Sequence, residues 1–508
     1  MTRKPNVILI STDQQRGDCI GPEGRGVKTP AIDRIGERGV RFSKCITPHP
    51  MCQAARASIL TGKLPYSHGV RDNGRDLDYS FGAQGLAGIF KAGGYDTHFI
   101  GKAHLSSQQT FEPTGRPECY SSAKDFDANW HGEYFGFDNV QLMLRPHHHT
   151  KWYDAPETLH YENWLDSDGK GGERWARAKD PLPPEPRNFQ AWRSALEEEW
   201  HSTPWVGNRT LEMLDEQGDK PLFAWVSFPD PHPPFLAPEP WCDMYDPEEV
   251  VVAKHIELDL DNRPWWHREF LAGRDKIKQG AEHNAGGKDW GQRGDMSEAA
   301  IREITAIYFG MISAVDKQVG RILDALEARG ELDNTILVFI SDHGEWLGDH
   351  GLLLKGPMLY DGLLRVPCLI CGPGVAAGKV IDAPVGTIDI RKTLAELCGL
   401  EAEDDNGTSW LGLIDGTEGR DYALSEFEVD ARRSAIDLDL RTVRSQRYRM
   451  SVDLNTNTGE LYDLVNDPDE MVNLFDDAGA AAIRREHMDM IRARQGDEIP
   501  RSPRVGWH

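Results

Sequence analysis

The stretch Asn6-Val7-Ile8-Leu9-Ile10-Ser11-Thr12-Asp13 decides the fold. Val7 to Ser11 is apolar without alternation, the mark of a strand covered on both faces, as in parallel sheets. A carboxylate, Asp13, stands just past its end. Three further strands are read along the chain, and two of them, Leu222 to Phe228 and Thr335 to Ile340, repeat the apolar run. Tyr95 to Ile100 runs into Gly101-Lys102-Ala103-His104, and Leu222 to Phe228 runs into Pro229-Asp230-Pro231-His232. Thr335 to Ile340 runs into Ser341-Asp342-His343-Gly344. Helical patterns lie between these runs. Ala54 to Leu60 opens one helix, and Gly85 to Ala92 forms another, closed by Gly93-Gly94. From Ala299 to Ala328, Ile301, Ile304, Tyr308, Met311, Val315, Val319, Ile322 and Leu326 fall three or four apart. A further helix is expected near Ile390 to Cys398. Strands alternating with helices predict an α/β fold with a mostly parallel central sheet flanked by helices. Asp13, Lys102, His104, His232, Asp342 and His343 then share the C-terminal edge of that sheet, where such folds bind ligands.

Two stretches depart from the alternation. Residues 105–200 crowd Trp, Tyr, His, Pro and Gly and read as an insertion over the sheet, a candidate pocket wall. Residues 236–296 read as a second, polar insertion. The run His147-His148-His149 reads as a solvent-exposed loop, not a second metal site. After about residue 415 short strands and turns take over, with Leu440 to Met450 and Gly459 to Leu464 as antiparallel strands. The expected division is therefore a catalytic domain over 1–415 and a C-terminal α+β subdomain with a tail over 416–508. The tail, ending Val505-Gly506-Trp507-His508, is expected to reach a neighbouring subunit of a homo-oligomer.

The chain has 508 residues, 39% hydrophobic and 27% charged, an ordinary globular composition. Its formal charge of −25 excludes a basic nucleic-acid footprint. An anionic substrate must therefore meet a local cluster of cations. The first apolar run is too short for a signal-peptide core, and no window approaches a membrane span. A cytoplasmic protein is expected. The eight cysteines are scattered and form no disulfide framework. Cys368 and Cys371 lie within Val366-Pro367-Cys368-Leu369-Ile370-Cys371 and read as core residues of a strand.

Two carboxylates and an imidazole, from Asp13, Asp342 and His343, suit a divalent cation such as Ca²⁺, Mg²⁺ or Mn²⁺. Cys52, in Cys52-Gln53-Ala54-Ala55-Arg56-Ala57-Ser58-Ile59-Leu60-Thr61-Gly62, opens a helix, where the positive end favours a thiolate. Arg56 follows one turn on and could hold an anion beside it.

This segment resembles the signature of the formylglycine-dependent sulfatases: a Cys or Ser, two residues on a Pro or Ala, then Arg, then Leu-Thr-Gly. The resemblance extends over almost the whole chain. It takes in Asp13, Thr29-Pro30-Ala31-Ile32-Asp33-Arg34, Gly101-Lys102-Ala103-His104 and Asp342-His343-Gly344-Glu345. It continues through Lys355-Gly356, Arg365-Val366-Pro367, Gly459 to Leu464 and Asn466-Asp467-Pro468. It implies an alkaline-phosphatase-like fold and hydrolysis of a sulfate monoester at the S–O bond. It implies that Cys52 is oxidised to formylglycine by a maturation enzyme, and that a hydroxyl of its hydrate binds the metal and attacks sulfur. Lys102 and Lys355 would neutralise the sulfuryl oxygens. Arg56 would hold the hydrate, His232 would protonate the leaving alcohol, and His104 would take the second hydroxyl's proton. Asn73, in Asp72-Asn73-Gly74, would contact substrate or hydrate. The metal would be Ca²⁺ in the first instance, with Mn²⁺ or Mg²⁺ as alternatives.

Three departures are informative. Gln14 follows Asp13 where many sulfatases have a second Asp, leaving it to coordinate through its carbonyl or to face the substrate. His343 stands where many arylsulfatases carry Asn. Both variants resemble the branch of choline sulfatases and phosphonate monoester hydrolases, so a phosphonate monoester or phosphodiester hydrolase is the alternative reading. Ala54 replaces the Pro of the usual maturation signal, similar to sites accepted by radical-type maturases.

Overall fold

In the computed structural model the residues described are 3–127, 129–144, 159–280, 296–403, 406–431 and 436–507, with only the backbone for 273–280. Asn6–Thr12 is the innermost strand of an eight-stranded sheet. Across the sheet run Lys379–Ile381, Val40–Phe42, Cys368–Cys371, Thr335–Ser341, Asn6–Thr12, Leu222–Ser227, Asp96–Gly101 and Asn139–Leu142. The last five are mutually parallel. Cys368–Cys371 is antiparallel to both of its neighbours.

The uninterrupted apolar run has a simple cause. Successive side chains of a strand point to opposite faces, and here both faces are covered. Val7 and Leu9 join a core with Ala54, Leu60, Phe90 and Leu394, contributed by the helices Cys52–Thr61, Leu86–Ala92 and Ile390–Leu397. Ile8 and Ile10 join a second core with Ile32, Trp205, Val315 and Ile322, from Pro30–Arg38, Ser202–Glu216 and Glu298–Ala328. All eight apolar positions named for the long helix are buried. Cys368 enters the first core and Cys371 the second, so this Cys-x-x-Cys points to opposite faces, and all eight cysteines are free thiols.

Both stretches outside the alternation contain regular structure. Asn139–Leu142 extends the central sheet as an edge strand. Ala191–Ser194 pairs with Phe235–Pro238. Trp265–Gly280 is a helix whose Trp266 is fully buried and donates its indole N–H to Pro357 O at 3.2 Å. Weak periodicity hid these elements because they are short and packed by aromatics. Tyr161 and Trp164, for example, stack at 5.8 Å. His147 to His149 lie outside the described residues.

At the C-terminal end, Tyr422–Val429, Leu438–Ser445, Tyr448–Asp453 and Thr458–Asp463 form an antiparallel meander, with Ala481–Arg492 packed on it. The single strand expected over Leu440 to Met450 is therefore a hairpin turning at Gln446-Arg447. The tail runs as a strap along its own molecule, past Gly69, Gly74 and Gln109. Ser502 N–H donates to Gly69 O at 2.8 Å, Val505 N–H to Gly74 O at 2.9 Å and Trp507 N–H to Gln109 O at 2.9 Å. Arg504 reaches Asp72 Oδ2 at 2.9 Å and Asn73 O at 3.4 Å. Gly74 has φ +80, and a Cβ there would meet Gly506 O at 2.2 Å, so only glycine allows the strap to close. The Trp507 ring packs edge-on against Phe111 at 5.1 Å.

The strap lies against the loop that carries Asn73. Deleting residues 500–508 is expected to lower kcat/KM by about 10²-fold through misplacement of that loop. The far-UV circular dichroism should be unchanged. A truncated enzyme with full kcat/KM would show the strap to be dispensable.

No described helix is long and apolar enough to cross a membrane.

Candidate active site

Parallel register aligns the strand ends. Thr12 pairs with Ser341, Ser11 with Ser227, and Gly101 with Ser227. The residues that follow, Asp13, Lys102 and Asp342, therefore emerge side by side. Cys52 enters from above as the first residue of the helix Cys52–Thr61. His49 fixes that start: its Nδ1 accepts the Met51 N–H at 2.9 Å, and its Nε2 meets Arg71 O at 3.1 Å. Burial pushes the His49 pKa down to about 4, so it is a neutral anchor.

The Cys52 thiol is completely buried. Its Sγ lies 2.9 Å from Lys355 Nζ, 3.2 Å from His343 Nε2 and 3.6 Å from Asp13 Oδ1. Burial and the Asp13 charge raise its pKa, but Lys355, Lys102 and His343 pull it below the ordinary thiol value. Asp13, Cys52, Asp342 and His343 each offer one ligand atom, all within 4.8 Å of one another. His343 Nδ1 meets Gly344 O at 2.9 Å, which places a proton on Nδ1 and turns Nε2 toward the cluster. Hard oxygens with an imidazole suit a divalent cation. Gln14, whose backbone N–H donates to Asp342 Oδ1 at 3.0 Å, carries a buried amide oxygen without a hydrogen-bond partner. The donor set thus fits the implied metal.

Cations balance the carboxylates. Lys102 Nζ pairs with Asp13 Oδ2 at 2.6 Å. Arg56 is fully buried and spreads over four oxygens: Asp342 Oδ2 at 2.8 Å, Asp13 Oδ2 at 3.3 Å, Lys102 O at 2.6 Å and Ser227 Oγ at 2.7 Å. Burial alone would raise the Asp13 pKa, yet Lys102, His232, Arg56 and Lys355 hold it well below the ordinary carboxylate value. The same attraction raises Lys102 against the cost of its burial. Lys102, Arg56 and Lys355 gather three cations around Asp13 and Asp342 inside an acidic protein. Arg56 was expected to hold the hydrate; its donors are committed mainly to the two carboxylates and to the end of the Lys102 strand.

The structure also brings in His104, His232 and Asn73. His104 is buried at φ +50, a left-handed conformation uncommon for histidine. Glu118 holds it. Its carboxylate accepts the backbone N–H groups of His104, Leu105 (2.9 Å) and Ser106 (3.0 Å), and the Tyr134 hydroxyl at 2.6 Å. His232 is 4% exposed, and its Nδ1 meets Pro233 O at 2.7 Å. Asn73 Oδ1 accepts the Gln53 N–H at 3.2 Å, joining the strapped loop to the Cys52 helix. Sequence reasoning missed Glu118, Ser227 and His49. Glu118 had no signal, because it lies in a stretch without periodicity and acts through backbone. Glu345 was quoted within its motif without a role. It accepts from Gln14 Nε2 and from two backbone N–H groups, and burial pushes its pKa up to about 7.

The family described as Sulfatase matches residues 5–400. This chain belongs to the sulfatase family. The C-terminal part of the enzyme matches N-sulphoglucosamine sulphohydrolase, C-terminal, over residues 348–496. The sulfatase is 31% identical to an arylsulfatase of Clostridium perfringens, over 96% of its own chain and 93% of the relative. It is 26% identical to a choline-sulfatase of Rhizobium meliloti, over 93% and 83%. Among solved structures it resembles the phosphonate monoester hydrolase of Agrobacterium radiobacter, with a TM-score of 0.75 and 28% identity over 96% and 95% of the two chains. Its fold is that of the alkaline phosphatase superfamily, as expected, and it is a sulfuric ester hydrolase.

Proposed function

We propose that this sulfatase cleaves a small sulfate monoester with a formylglycine made from Cys52, beside one divalent cation held by Asp13, Asp342, His343 and Gln14. The observation that supports this most is the setting of the Cys52 thiol, at a helix start and within 3.6 Å of a carboxylate, an imidazole and an ammonium. The cation, Ca²⁺ first and Mn²⁺ or Mg²⁺ next, would supply Lewis acidity at the sulfuryl group. Formylglycine would supply a hydroxyl nucleophile, and a maturation enzyme would have to act on Cys52 with Ala54 two residues on.

The protein's own groups divide the remaining work. Lys102 and Lys355 bind the sulfuryl oxygens with their ammonium groups. Arg56 holds the Asp13 and Asp342 carboxylates in place for the cation. His232 donates a proton to the leaving oxygen, and His104, oriented by Glu118, would accept the proton of the second hydroxyl as sulfate departs. Asn73 contacts the substrate or fixes the nucleophile helix. Aryl, choline-like and carbohydrate sulfates are the substrate classes to screen. Eight free thiols fit a cytoplasmic location.

His232→Ala is expected to cost about 10²–10⁴-fold on an alkyl sulfate, whose leaving group needs a proton. On nitrophenyl sulfate, whose leaving group departs as a stable anion, the loss should be far smaller. Equal losses on both would remove His232 as the acid.

The second reading, phosphonate monoester hydrolysis by the same nucleophile, draws on the likeness to that hydrolase. Lys102 and His104, at the same sheet edge, favour sulfate. Rates on phenyl sulfate and phenyl phosphonate esters test the order; a large phosphonate preference would reverse it.

A further inference from the structure

Gln14 stands one residue past Asp13 at φ +69, and its backbone N–H donates to Asp342 Oδ1 at 3.0 Å. Its side chain is fully buried. The amide nitrogen donates to Glu345 Oε2, while the amide oxygen has no hydrogen-bond partner. Glu345 is itself fully buried. Its Oε1 accepts the backbone N–H of Leu347 at 3.1 Å and that of Leu354. With Oε1 taken by two backbone donors, Oε2 is the oxygen left to face Gln14. It meets the amide NH₂, and the planar amide turns its oxygen away from Glu345. A buried acceptor without a partner calls for an explanation. The adjoining ligand cluster provides one.

We propose that Glu345 is a positioning residue for the cation: it locks the Gln14 amide so that oxygen, not NH₂, is offered to the metal. The inference rests on the reading that Asp13, Asp342 and His343 hold a divalent cation. Glu345 acts on the cation through Gln14. An amide nitrogen is no ligand for a hard cation, so the flip state of one glutamine decides whether the site has a further neutral oxygen donor. Partners outside the ligand shell that fix a ligand's orientation commonly carry this much control over affinity.

The test is calorimetric titration of Mn²⁺ and of Ca²⁺ into chelator-stripped full-length protein, with no turnover needed. In Glu345→Gln the new amide oxygen must accept from Leu347 and Leu354, so its NH₂ faces Gln14 and forces that amide to flip. Binding is expected to weaken by about 10–100-fold. In the reciprocal double variant, Gln14→Glu with Glu345→Gln, the amide at 345 donates to the carboxylate at 14, whose other oxygen faces the cation. Binding is expected to recover well above that of Glu345→Gln alone. A Glu345 that carries a proton would donate it to Gln14 Oε1, and Glu345→Gln would then bind as tightly as the wild type; that result overturns the proposal. A double variant no tighter than Glu345→Gln overturns it as well, and does so even where the single variant folds poorly. Wild-type protein that binds neither ion would remove the metal reading along with it.

Discussion

Replacing Cys52 with alanine is expected to abolish sulfate-ester turnover, by at least about 10⁴-fold in kcat, the scale seen when an enzyme loses its nucleophile. The fold should survive. Alanine is a better helix former than cysteine, and Cys52 is the first residue of its helix, so little packing is lost. The residual rate then measures what Lys102, Lys355 and the cation contribute by charge alone. Mass spectrometry of the Cys52 peptide from the native host supplies the second arm. Active enzyme should carry the aldehyde or its hydrate there. A fully active protein with an intact thiol, or a Cys52→Ala variant within tenfold of the wild-type rate, would sink the formylglycine mechanism.

The second large effect concerns stability. Arg56 has no exposed surface and bridges two carboxylates that also have none. Taking it away as Arg56→Ala leaves Asp342 without its closest cation and Asp13 with Lys102 as its main partner. Breaking a buried pair from one side costs about 3–5 kcal/mol, because a desolvated charge remains. Urea denaturation of metal-free protein should register that loss. Added Ca²⁺ or Mn²⁺ should recover part of it, since the cation neutralises the same two carboxylates. Arg56→Lys should fall between, because one ammonium cannot span the four oxygens that the guanidinium reaches. A loss below about 1 kcal/mol in Arg56→Ala, the scale of an exposed pair, would contradict this account of Arg56.

How far the site could be foreseen follows from its construction. Asp13, Asp342 and His343 were legible because they follow strands that announce themselves by an unbroken apolar run, whereas Lys102 follows a strand interrupted by Asp96, Thr97 and His98. Helix position and spacing made Cys52 and Arg56 candidates only, and the resemblance of their segment to the sulfatase signature singled them out. Glu118 was not, because it works through backbone N–H groups on His104 to Ser106, a contact made by folding and by no local pattern. The direction of the tail was not legible either. Its backbone pairs with Gly69, Gly74 and Gln109, contacts that no local pattern announces.

The sequence by itself determined the parallel sheet, the edge on which the chemistry gathers, and the residue types that gather there. Those follow from local rules: alternation of side chains along a strand, and helix-end electrostatics. The tertiary structure alone decided which carboxylate each cation serves and which way the Gln14 amide faces. It also decided that Glu118 and the C-terminal strap hold the turns carrying His104 and Asn73. Hydrogen bonds and ion pairs between residues hundreds of positions apart act over a few ångströms. They exist only once packing has brought both partners to the same place.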